Sequence, residues 1–288
     1  MLYPAELRAL KTDIYHFKFI FSTLLFTNFW MSKNLVKVES VVKTFGGLKA
    51  LNDCSLEIKE KSITGIIGPN GSGKSTLFNV ITGNLKPDSG KITYNENEIT
   101  NKESHELFHQ GILRTFQIAH EFTNMTVIEN LMVVPGNQKG ESLLYALMNK
   151  KKIDKDDEII KEKAIEVLQF LKIEHLRNER AGNLSGGQKK LLELARTMMV
   201  DAKIVFLDEV GAGVNKTLLN DISDSILRLN KEKGYTFCMI EHDFNFITKL
   251  CDPIIVLAEG SVLFKGTAEE VKKNEKVIES YLGKGVKK

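Results

Sequence analysis

From Leu35 the chain alternates apolar and polar side chains, Leu35-Val36-Lys37-Val38-Glu39 and on to Val42, and a similar period of two returns in Leu51 to Ile58 and Lys91 to Tyr94. A strand turns successive side chains to opposite faces, so this pattern predicts an antiparallel sheet with one face in water. Four other runs, Ile63 to Ile67, Ile204 to Leu207, Thr236 to Ile240 and Ile254 to Leu257, are short and nearly all apolar. They suit central parallel strands covered on both sides. Longer amphipathic stretches separate these runs, and the interval from about Ile118 to Val200 has almost no strand signal. The predicted class is α/β, with a parallel-sheet core, an antiparallel β-subdomain and an inserted helical subdomain at about residues 118–200. Inside that insert, the mixed-sign run from Lys150 to Lys163 reads as a solvated helix face.

The first thirty residues do not share this patterning. Eight of the 23 aromatic residues precede Met31, the lone Trp30 among them. The apolar stretch Phe19 to Trp30 is broken by Ser22, Thr23, Thr27 and Asn28 and is shorter than the roughly 20 residues a spanning helix needs. No small-residue cleavage site follows it, which argues against a secretory signal. Residues 1–30 read as sequence upstream of a true start at Met31; a membrane-surface helix is the alternative.

Composition excludes more than it selects. At 288 residues, 27% charged and 42% hydrophobic, the chain can bury a sizeable core, and disordered, collagen-like and disulfide-scaffold classes fall away. A net charge of +3 does not advertise a polyanion surface, so no nucleic acid is expected as a partner. Cys54, Cys238 and Cys251 are scattered without CxxC spacing and read as reduced core thiols.

Chemistry concentrates in two places. Gly68-Pro69-Asn70-Gly71-Ser72-Gly73-Lys74-Ser75-Thr76 lies between an apolar strand and a predicted helix, the context a phosphate-binding P-loop requires. Glycines let successive backbone N–H groups and a helix N-terminus face an anion, Lys74 adds a point charge at the β and γ phosphates, and Ser75 a hydroxyl for Mg2+. Further on, Ile204-Val205-Phe206-Leu207-Asp208-Glu209 is an apolar strand ending in two acids at the sheet edge where α/β proteins bind ligands. Asp208 is placed to serve the Mg2+ shell and Glu209 to face an attacking water.

With Leu184-Ser185-Gly186-Gly187-Gln188 standing shortly before that strand, the chain resembles an ATP-binding cassette ATPase, over about Met31 to Gly283. The resemblance implies an ABC nucleotide-binding domain at residues 31–270 and a C-terminal tail at 271–288, the latter read as mostly solvated. It implies ATP and Mg2+ as ligands. Asn70, Gly71, Ser72, Gly73, Lys74, Ser75 and Thr76 would hold the nucleotide, and Ser185 and Gly187 would cap the γ-phosphate of an ATP bound to a second cassette. Ser75, Asp208 and Gln117 would serve the metal, Gln117 also linking the core to the helical insert and to a membrane partner. Glu209, His242, Gln117 and Lys74 would carry catalysis, and Phe45 would stack on adenine. Two positions depart from the family pattern: Val210 replaces a proline after Glu209, predicting a less rigid turn, and Asn215 stands where many members have aspartate.

The stretches Gly111 to Gln117, Met125 to Leu131, Ala212 to Asn215 and Val277 to Gly283 are similar to the ATPase subunits of branched-chain amino acid importers. Urea or amide importers share much of the pattern, and lipopolysaccharide exporters share the tail. The resemblance implies transmembrane permease subunits, a second ABC ATPase subunit in a heterodimer or a homodimer, an extracytoplasmic substrate-binding protein acting indirectly, and a peripheral place on the cytoplasmic face of the inner membrane. A soluble ribosomal ATPase would carry two cassettes, and chromosome ATPases separate P-loop and signature by a long coiled coil; neither fits this spacing. A dead scaffold is opposed by Glu209 and His242.

Overall fold

The alternating segments pair as an antiparallel sheet. In the computed structural model, which describes residues 33–115, 121–136 and 150–282, β1 (Asn34–Phe45) meets β2 (Leu48–Lys59) across the Gly46-Gly47 turn. After them come β3 (Ile63–Ile67), α1 (Lys74–Ile81), β4 (Ser89–Tyr94) and β5 (Asn97–Glu98). β4 lies antiparallel to β1 with Val38 opposite Ile92, and the sheet order is β2-β1-β4-β5. The chain then forms α2 (Ser104–His109), β6 (Ile112–Arg114), α3 (Val127–Met132), α4 (Lys150–Phe170) and α5 (Gly186–Met198). It finishes with β7 (Ile204–Asp208), α6 (Lys216–Lys233), β8 (Thr236–Ile240), α7 (Phe244–Leu250), β9 (Ile254–Ala258), β10 (Ser261–Gly266), α8 (Ala268–Lys273) and α9 (Glu275–Leu282).

The second sheet runs β10-β9-β3-β8-β7-β6, all parallel apart from β10. Its four apolar runs are buried nearly throughout because both faces are covered. On one face Ile66, Phe206, Cys238, Ile240 and Leu257 join Leu77 and Phe78 of α1 and the apolar side of the antiparallel sheet. On the other, Ile67, Val205, Leu207 and Met239 pack with α5, α6 and α7. The period of two in each strand thus serves two cores at once, in a layered α/β architecture. All three cysteines are buried, and burial raises the thiol pKa of Cys54 to about 12.

The described part of the insert is helical. α4 buries Ala164, Val167 and Leu168 near its C-terminal end and leaves the earlier charged turns exposed. Along the tail most described residues are exposed, while Val271 of α8 and Val277 of α9 are buried in the larger core. One buried valine on each of the two helices anchors a segment whose other residues are largely charged. The 1–30 extension lies outside the described residues.

Candidate nucleotide site

Strand order decides which loops meet. β8 sits between β3 and β7, so the carboxyl ends of all three fall side by side, and β3 and β7 lie only about 10 Å apart given the usual strand spacing. The loop after β3 is Gly68 to Gly73, β7 ends at Asp208, and β8 leads into Glu241 and His242.

The loop after β3 requires glycine at two points. Gly68 has φ 153°, and a Cβ there would stand 2.1 Å from the Leu257 carbonyl oxygen. Gly73 has φ 99°, and a Cβ would meet the Ala50 carbonyl oxygen at 2.4 Å. Gly73 is also the N-cap of α1, and no side chain caps that helix. Lys74 is 6% exposed and curls beneath the loop, its Nζ donating to the carbonyls of Gly68 (2.8 Å) and Pro69 (3.0 Å). Burial lowers its pKa, against the opposing pull of Glu209 and Asp208, so loop lysine and strand-end acids share one electrostatic neighbourhood. The Ser72 hydroxyl is buried without a hydrogen-bond partner. Asn70, Gly71 and Ser75 are exposed, and Thr76 is half-buried in the first turn of α1.

Asp208 is buried, and Arg114 Nη2 donates to its Oδ2 at 2.7 Å. Arg114 also reaches Asn79 on α1, so a single guanidinium ties the end of β6 to β7 and α1. Glu209 adopts φ 52°, the left-handed region that is costly for a residue with a side chain. Its N–H donates to the Ile240 carbonyl at 3.0 Å, and its Oε1 lies 2.9 Å from His242 Nε2. Val210 is buried. Gly211 N–H donates to Glu241 at 2.8 Å, and burial raises the Glu241 pKa.

Phe45, at the end of β1, is 47% exposed, so its ring is free to receive a flat partner. The backbone beside it is pinned by Asp88, which accepts from Thr44 N–H (2.7 Å), the Thr44 hydroxyl (2.6 Å) and Lys43 Nζ (2.8 Å). Lys43 Nζ in turn sits 5.8 Å from the centre of the Phe45 ring.

Ser185 opens α5 as its N-cap, with a reciprocal box: its Oγ accepts from Gln188 N–H while Gln188 Oε1 accepts from Ser185 N–H. Ser185 and Gly186 are exposed, whereas Gly187 is buried, where a Cβ would stand 2.0 Å from Leu218. Asn215 caps α6 by accepting from Leu218 N–H, a task asparagine performs as well as aspartate.

The structure therefore gathers Lys74, Asp208, Glu209 and His242, sets Phe45 at the edge of the β-subdomain and places Ser185 on the helical insert. Gln117 lies outside the described residues; Thr115, two positions before it, is bonded through its backbone N–H to the Phe206 carbonyl. Arg114, Asp88 and Glu241 were not foreseen. Only Arg114 left a trace, as a cation ending a short apolar run.

A model of the ABC transporter family matches residues 51–212, more than half of the chain. The chain belongs to the ABC transporter family of ATP-binding cassettes. It is an ATPase of that family, and its architecture is the cassette fold. A second family model, described as branched-chain amino acid ATP-binding cassette transporter, matches residues 261–287. The chain is 46% identical over 253 residues to a probable branched-chain amino acid transport ATP-binding protein, LivG, of Methanocaldococcus jannaschii, covering 86% of this chain and 97% of that protein. Among solved structures, the ADP conformation of an ABC transporter cassette aligns with TM-score 0.74 and 42% identity over 88% of this chain and all of the other. A dimeric bacterial ABC transporter cassette aligns with TM-score 0.66 and 26% identity over 81% and 98%. Nucleotide binding is thus a property of the fold. No helix among the described residues is long and apolar enough to cross a membrane.

Proposed function

We propose that this chain is the ATPase subunit that powers an importer of branched-chain amino acids. The observation that carries the catalytic part is the convergence of Lys74, Asp208, Glu209 and His242 at three adjacent strand ends. The cargo assignment is supported by the LivG relative and by the family match across the tail.

Asn70 to Thr76 hold the phosphates of ATP through backbone amides and the α1 N-terminus, with Lys74 turning from the loop carbonyls to the β and γ oxygens. Phe45 stacks on adenine. Glu209 accepts a proton from the water that attacks the γ-phosphorus; the bond to the β–γ bridging oxygen breaks, and ADP and phosphate leave. His242 donates to the γ-phosphate and holds the water in line. The Ser75 hydroxyl and the Asp208 carboxylate are hard oxygen donors, and no group of three His, Cys, Asp or Glu side chains that could cage a metal occurs among the described residues. That donor set suits Mg2+, which keeps much of its shell as water and phosphate oxygen. Ser75 and Asp208, with Gln117, would hold it, and it would neutralise charge building on the phosphates.

Ser185 and the amides near Gly187 serve the ATP of a second cassette, in a head-to-tail heterodimer or homodimer. Binding and release of that dimer move permease subunits docked at the cytoplasmic face of the membrane. A cleft of about 420 Å3 between the end of α1, α2 and α5, with Arg114 and Thr115 in its wall, supports docking on this face.

Uptake of labelled leucine, with urea in parallel, in cells whose only copy is wild type or Glu209→Gln tests the whole reading. Leucine uptake is expected to vanish in the variant while urea uptake persists. Loss of urea uptake alone would move the cargo to urea or amides; no change in either would bring an export role, such as lipopolysaccharide, forward.

A further inference from the structure

Glu241 is a buried acid without a task in the chemistry above. Taking a carboxylate out of water costs several kcal/mol unless hydrogen bonds replace the lost hydration. An apolar side chain would be cheaper among the Ile67, Phe244 and Val271 side chains that line the adjoining hollow. What the acid obtains is a grip on a backbone amide, Gly211 N–H, which it accepts at 2.8 Å. That amide belongs to the loop that carries the base, and Glu241 itself stands directly before the histidine. In that loop sits Glu209 at φ 52°, a strained conformation that persists only when its surroundings impose it. Ile240, the neighbour of Glu241, holds Glu209 by its N–H on the near side of that turn. On the far side Val210 does not fix the backbone as a proline would, and the next residue is a glycine.

We propose that Glu241 is a positioning residue: its carboxylate closes the turn after Glu209 and joins it to the His242 loop, so that base, histidine and the 211–215 loop keep one geometry. The inference rests on the reading of Glu209 as the base. Its mechanism is the acceptor oxygen, so the isosteric amide preserves it and truncation abolishes it.

The test uses the transport complex purified through a tag on this chain, with Glu241→Ala, Glu241→Gln and Glu209→Gln. Glu241→Ala should lower kcat by about tenfold or more, as a displaced catalytic group does, with KM for ATP changed by less than about twofold. Amide exchange in the peptide spanning 209–213 should rise in the same variant, and Glu241→Gln should restore most of both. Wild-type kcat in Glu241→Ala, a fall in kcat with unchanged exchange at 209–213, or a Gln variant as impaired as the Ala variant would each overturn the proposal. If Glu241→Ala does not fold, Glu241→Asp replaces it, since it keeps the charge but shortens the reach by one methylene. Glu209→Gln separates the two readings. Full turnover there removes the base assignment and leaves Glu241 to be judged by exchange alone; an inactive Glu209→Gln beside a wild-type-like Glu241→Ala removes only the present inference.

Discussion

Two glycine-rich turns in this chain open helices, and they treat their orphan amides differently. At α1 the N-cap is Gly73 in the left-handed region, no side chain caps the helix, and a lysine lies beneath the turn. At α5 the N-cap is Ser185, extended, and Ser185 and Gln188 satisfy each other's amides. The lysines near that turn are engaged as well, Lys189 with Glu121 at 2.6 Å and Lys190 with Glu193 at 3.5 Å. The first turn thus leaves donors and a cation for an anion, whereas the second is content in isolation and adds little charge of its own. On the proposed reading, one chain would carry a phosphate cradle of its own and contribute half of another to a second cassette.

The strongest way to break this comparison is Lys74→Ala. If the α1 turn depends on its buried cation, ATP affinity measured by calorimetry should fall on the order of a hundredfold, as expected for loss of a charge-assisted phosphate contact in a partly buried site. Affinity near wild type would mean that the backbone cradle suffices and that Lys74 serves only to brace the loop through the Gly68 and Pro69 carbonyls.

Ser185→Ala sharpens the comparison from the other side. Loss of an N-cap costs about 1 kcal/mol, so the isolated chain should melt a few degrees lower. ATP affinity of the isolated chain should stay within about twofold of wild type while turnover of the assembled complex drops, because the contact is made across the interface. A matching loss of affinity in the isolated chain would place the α5 turn beside the chain's own nucleotide, contrary to the half-site reading.

These turns were legible because their chemistry is contiguous. Glycines, a lysine and hydroxyls within nine residues dictate a phosphate loop whatever the rest of the fold does, and an apolar run ending in Asp208-Glu209 fixes a sheet edge. Contacts made by strand order were not legible. Arg114 meets Asp208 across 94 positions and Gly211 meets Glu241 across 30, and no spacing rule reports which strands will lie side by side. β6 escaped because three residues cannot display a period, and β10 because as an edge strand it is nowhere fully buried. The charge of the tail correctly announced its mostly exposed residues but hid Val271 and Val277, one on each helix, which bring α8 and α9 onto the core. The proline missing at Val210 was legible, but the Gly211–Glu241 contact beside it, made across 30 positions, was not.

The smallest predicted effect concerns the β-subdomain, which contributes an aromatic face where the loop after β3 contributes charge. Asp88 holds the backbone next to Phe45, and hydrogen bonds from Lys43 and Thr44 lower its pKa from 3.8 to about 2. A depressed carboxylate stabilises the fold above its unfolded pKa, and that contribution drains away as pH falls through the interval between the two values. Asp88→Asn should therefore melt slightly below wild type at neutral pH, and the gap should close as the pH is taken from about 5 toward 2. ATP affinity should weaken by only a few-fold, since the phosphate cradle is untouched and only the placement of the stacking ring is relaxed. An affinity loss as large as that of Lys74→Ala would show that the adenine side, and not the α1 turn, dominates binding, and would reverse the ranking of the two regions.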